Sequence, residues 1–85
     1  MAFNNVGPLA QLAPGQAFYW WYSWGGDQGT QFASADIQNP GWSSPHVATD
    51  QSKQLDNSGN ATYFVTITNQ GPGISNHNLQ GGGMV

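Results

Sequence analysis

The sequence predicts an all-β fold, a small antiparallel sandwich of about six short strands. Three observations carry this. Turn-forming clusters of Gly, Pro, Asn and Asp recur about every eight to twelve residues. The segments between them alternate with a period of two and are rich in aromatic and β-branched residues. No segment pairs a helix cap with a 3.6-residue apolar period. The chain of 85 residues is read as a single domain, residues 1–85, near the lower size limit for folding without staples.

Residues 4–12 form a short strand interrupted by Pro8. Proline lacks the N–H that a central strand needs, so this strand belongs at an edge. Ala13-Pro14-Gly15-Gln16 is a turn. Gln16–Trp24 then reads as the strand around which the chain is organised, bounded by Pro14-Gly15 and Gly25-Gly26. Alternation puts Phe18, Trp20, Tyr22 and Trp24 on one face and Ala17, Tyr19, Trp21 and Ser23 on the other. A chain this small hides one such face in its core and leaves the second to meet a ligand or another subunit.

Gly25–Gly29 is a loop tip. Thr30–Gln38 alternates again, with Phe32, Ser34 and Asp36 opposite Gln31, Ala33, Ala35 and Ile37. The small residues of the second set let a neighbouring sheet come close. Asn39–Pro45 is an irregular loop carrying Trp42. His46–Leu55 is a polar strand, and Asp56-Asn57-Ser58-Gly59-Asn60 is a hairpin signal. Ala61–Thr68 has the cleanest alternation, Tyr63, Val65 and Ile67 against Thr62, Phe64, Thr66 and Thr68. Ile74–Gln80 is the last strand, and residues 81–85, with Gly81, Gly82 and Gly83, read as a flexible Gly-rich tail.

Leu12-Ala-Pro-Gly-Gln16 running into the aromatic strand, and Tyr63-Phe-Val-Thr-Ile-Thr-Asn-Gln-Gly71, resemble motifs of Ig-like bacterial β-sandwich modules. The resemblance covers about half the chain. It implies that Phe18, Trp20 and Tyr22 face inward with Tyr63, Val65 and Ile67, leaving Tyr19, Trp21 and Phe64 outside. Such modules usually carry Thr or Ser on that outer face, so the exposed rings are a departure. The family licenses a fold and not an activity.

Composition narrows the function classes. The chain has one Lys, no Arg, four Asp and a formal net charge of −3. Phosphate neutralisation needs several cations, so nucleic acid is excluded as a partner. An anionic membrane surface is disfavoured for the same reason, and no amphipathic helix is present to lie on one. Neither a signal peptide nor a transmembrane segment is visible, which leaves the compartment open. Asn60-Ala61-Thr62 fits the glycosylation acceptor pattern, which has meaning only in a eukaryotic secreted protein.

Enzyme signatures are lacking, and no cofactor is implied. There is no cysteine and no Gly-x-Ser-x-Gly elbow. His46 and His77 are far apart and in no metal-ligand spacing, so no metal site is expected. The four Asp residues suit turns better than paired acid–base work. Gly71-Pro-Gly73 and Gly81–Gly83 lack the helix that a phosphate cradle requires.

The function expected is non-enzymatic carbohydrate binding. A sugar offers an apolar C–H face and a rim of hydroxyls, so its site needs exposed rings flanked by neutral or acidic hydrogen-bonding groups. Tyr19, Trp21, Trp42, Asp27, Gln31 and His46 are the candidate glycan-binding residues, with Gln28, Asn76 and Asn78 as further partners. The competing expectation is a self-assembling structural protein whose aromatic face is a subunit interface, since interfaces are also enriched in aromatic residues. Either way the chain is expected to form a homo-oligomer, and a lectin of this kind would gain affinity from several weak sites.

Overall fold

The structure, a computed structural model, describes residues 2–38 and 44–83. Among them there are six strands and no helix. In chain order they are β1 (Ala2–Leu12), β2 (Ala17–Tyr22), β3 (Gln31–Ile37), β4 (His46–Leu55), β5 (Ala61–Asn69) and β6 (Ser75–Gly83). They make two three-stranded antiparallel sheets, ordered β1-β6-β3 and β2-β5-β4. The sheets pack face to face, β1 over β2 and β3 over β4. The fold is a small β-sandwich.

The core follows the period-two pattern. Tyr63, Val65 and Ile67 of β5 meet Leu79 of β6, with Leu12, Tyr22, Ala33 and Ala61 completing the buried cluster. The alanines on the inner face of β3 hold the place of larger side chains, which leaves room for the Tyr22 and Tyr63 rings. Those rings stack with centroids 5.4 Å apart.

Two features depart from simple alternation. Near Pro8, pairing of β1 with β6 slips between Asn5 and Leu9. The slip frees the Val6 carbonyl, which accepts a hydrogen bond of 2.8 Å from Trp20 Nε1. Trp20 therefore closes the seam between β1 and β2, stacked on Phe18 and lying against Gly7. It is 37% exposed, so the ring read as core is a lid over the core's edge, and Tyr22 is the aromatic that is buried. In β4 the register slips between Ala48 and Asp50. The extra residue, Thr49, resets which side chains of that strand face inward.

The glycines at the end of the chain are a correction. Gly81, Gly82 and Gly83 are not a tail: they are the last third of β6, paired on both sides with β1 and β3. The reason is steric. A Cβ on Gly81 would lie 2.8 Å from the Tyr22 hydroxyl, and one on Gly83 would lie 2.5 Å from the Thr30 carbonyl oxygen. Residues 84 and 85 lie outside the described residues.

Candidate functional site: an aromatic sheet face and the cleft beside it

Strand register gathers the outward residues of β2-β5-β4 into rows. Trp21 lies opposite Phe64, which lies opposite Ser52. In the next row Tyr19 lies opposite Thr66 and Asp50. Thr62 with Gln54, and Thr68 with Val47, extend the surface at either end. Tyr19 is 74% and Trp21 59% exposed, while Phe64 between strands is 36% exposed. Cross-strand neighbours sit about 5 Å apart, so Trp21 and Phe64 rise side by side from the same outer face. Hydroxyl, amide and carboxylate groups border it.

A cleft of about 230 Å³ lies on the other side of this sheet, toward β3, with Phe64 and Ser52 among its lining residues. Tyr63, Gln31, Gln51 and Lys53 also line the cleft. Its polar groups are held in place. The Ala33 N–H donates to Gln51 Oε1 at 2.8 Å, so this side chain caps the open edge of β3 from β4. Trp24 Nε1 donates to Gln31 Oε1 at 2.9 Å. The Tyr63 hydroxyl donates to the Gly29 carbonyl and accepts from the Gln28 N–H. Burial, and then the neighbouring Tyr63, raise the Tyr22 phenol above its ordinary value.

Asp27 stands at the rim of this end. Its Oδ1 accepts from Lys53 Nζ at 2.7 Å and from the Gly29 N–H at 2.8 Å. These hydrogen bonds, that of Lys53 foremost, lower the Asp27 carboxyl below its usual value, and Asp27 in turn raises Lys53. The pair is largely exposed, so it sets local charge and adds little stability.

The residues expected to bind ligand are thus divided. Tyr19 and Trp21 share the sheet face, and Gln31 with Asp27 marks the neighbouring cleft end. Trp42 lies outside the described residues. His46 is elsewhere: it is 6% exposed and its ring points into the sandwich, away from the aromatic face. Its Nε2 lies 2.7 Å from Ser75 Oγ, and its Nδ1 lies 2.8 Å from Nδ1 of the fully buried His77. Inward geometry at the start of β4 thus takes His46 off the surface that a glycan would meet.

Ser75, His46 and His77 are connected in the order of a nucleophile, a base and an orienting group. The single hydroxyl hydrogen of Ser75 lies between two acceptors, the Ser44 carbonyl at 3.2 Å and His46 Nε2 at 2.7 Å. All three side chains are buried, and the network joins the ends of β4 and β6 across the sandwich.

Phe64, Ser52, Gln51 and Lys53 are the site residues that the sequence reading did not select. Phe64 stood on the outer face by alternation, and its place opposite Trp21 needed only the pairing of the two aromatic strands. Gln51 and Lys53 depend on the slip at Thr49, for which no residue type gave a signal. Among the described residues no three metal-ligating side chains come together. No known family, curated protein or solved structure matches the chain.

Proposed function

We propose that the chain is a non-enzymatic, lectin-like carbohydrate-binding module, acting as a homo-oligomer through its exposed aromatic residues. The observation that carries this is the row Trp21–Phe64–Ser52 beside the row Tyr19–Thr66–Asp50 on one open sheet face. Rings supply dispersion contact with the C–H face of a sugar, while the bordering hydroxyls and carboxylate accept and donate to its rim. The face carries no cation, which suits a neutral ligand and not a phosphate.

Strand order supports the Ig-like kinship as part of this reading. β2-β5-β4 against β3-β6 follows the B-E-D and C-F strands of that fold, with β1 where strand G lies. The wide apolar exposure favours a second reading, in which the face buries itself against another copy. Leu9 and Phe32 add exposed apolar area on the opposite sheet. Several weak sites on one oligomer would serve a lectin equally well.

A glycan-array screen with Trp21→Ala in parallel, both sized by light scattering, tests the proposal. Selective binding lost in a variant of unchanged size supports the lectin reading. An empty array from a well-defined oligomer that Trp21→Ala dissociates supports the interface reading and overturns the lectin.

A further inference from the structure

In the cleft the oxygens of two lining glutamines are already used internally. Ala33 N–H and Trp24 Nε1–H are donors only, so the atom that each faces is the oxygen of the glutamine amide. This fixes the orientation of both amides. The Gln31 and Gln51 –NH₂ groups are left with no hydrogen-bond partner among the described residues. Lys53 keeps further N–H groups beyond the one given to Asp27. The Tyr63 hydroxyl already donates and accepts. What the two glutamines offer is therefore a pair of amide donors beside Tyr63, in a lining that also includes the hydroxyl-bearing Tyr22, Thr30 and Ser52.

Resting on the lectin reading, we infer that this cleft is the specificity subsite and takes the acetamido group of an N-acetylated hexose. The carbonyl of that group is a neutral acceptor for the glutamine –NH₂ groups, and its methyl is an apolar surface for the Tyr63 ring. A carboxylate-bearing sugar fits less well, because Asp27 already compensates Lys53 and would repel a second carboxylate. At about 230 Å³ the cleft holds one substituted ring end and not an oligosaccharide.

The test compares N,N′-diacetylchitobiose with cellobiose, which share a backbone and differ in the acetamido group, by NMR titration of the full chain. The acetylated disaccharide is expected to bind about tenfold more tightly, the weight of one well-made hydrogen bond. Gln51→Glu keeps the oxygen that Ala33 needs and replaces the –NH₂ with an acceptor; Gln31→Glu does the same toward Trp24. Each is expected to erase the preference while leaving the melting temperature near that of the wild type. Equal affinity of the wild type for both disaccharides overturns the inference, as does a preference that survives both substitutions. Binding of neither, with other glycans held on the array, overturns the subsite alone. An empty array overturns the lectin reading together with it.

Discussion

His46 Nδ1 lies 2.8 Å from His77 Nδ1, so one hydrogen must sit between the two rings. His77 Nε2 is a buried atom with no partner among the described residues. A second proton between the two Nδ1 atoms would set two N–H groups against each other. A proton on His77 Nε2 is a buried donor without an acceptor. Burial lowers both imidazoles below their ordinary value of 6.5, and His46 lowers His77 further.

The sign of the pH effect follows. Above 6.5 both rings are neutral in the folded and unfolded chain, and the pair does not alter stability with pH. Below 6.5 the unfolded chain takes up protons that the folded one resists, so stability falls until pH passes the lowered folded values. Chemical-denaturation midpoints between pH 8 and 5 are expected to decline below about 6.5. A His46→Leu/His77→Leu variant, with both partners made apolar, is expected to show a flatter curve over that window. An unchanged decline would assign it to other groups. Asp27 and Asp56, whose pKa values are lowered from 3.8, act only in more acidic solution.

Asn69 is also fully buried, and its amide is well satisfied. Its Nδ2 donates to the Leu12 and Gly73 carbonyls at 2.8 and 2.9 Å, and its Oδ1 accepts from the Gly71 N–H. Asn69→Asp keeps the acceptor but turns a carboxylate toward two carbonyl oxygens. A loss of at least about 3 kcal/mol at pH 7 is expected from urea unfolding. The loss is expected to shrink on mild acidification, because those carbonyls raise the folded pKa of the new carboxyl.

How much of this could be read from the chain depends on the element. The six strands were legible because turn residues bounded them and because β3 and β5 alternate without interruption. Tyr19, Trp21 and Phe64 emerged on one outer face for the same reason. The histidine pair was half legible. Ser75, His77 and Leu79 share a parity, so His77 was bound to face inward with Leu79, but the partner ring comes from 31 residues away. The slip at Thr49 was illegible: strict alternation from His46 would turn Asp50 and Ser52 inward, where the fold places Gln51 and Lys53. The terminal glycines misled because glycine marks both a loose tail and a strand on which a ring must lie.

That last point is testable at Gly81. A Cβ there would come within 2.8 Å of Tyr22 Cζ and 3.1 Å of Val6 Cγ2. The Tyr22 ring is held against Gly81 by its stack on Tyr63. Gly81→Ala is expected to cost about 1–3 kcal/mol, as overpacking does. Adding Tyr22→Leu should recover part of that cost relative to Tyr22→Leu alone. Thermal unfolding of the four proteins measures the coupling, and strict additivity would mean that the glycine serves something other than the ring.

Trp20 and Trp21 are sequence neighbours with opposite duties. Trp20 closes the β1–β2 seam, so Trp20→Ala removes apolar cover and the bond to Val6 together. Because the ring is 37% exposed, a cost of about 2–3 kcal/mol is expected, below that of a fully buried ring. Trp20→Phe keeps most of the stacking on Phe18 and leaves the Val6 carbonyl unmet, which isolates about 1 kcal/mol for the hydrogen bond. Trp21 is 59% exposed on a face that the fold itself does not cover. Trp21→Ala is expected to change monomer stability by no more than about 0.5–1 kcal/mol while weakening ligand binding or assembly. Urea unfolding with far-ultraviolet circular dichroism separates the two. If Trp21→Ala proved the more damaging to the monomer, the assignment of the two faces of β2 would be reversed, and the aromatic surface would belong to the core.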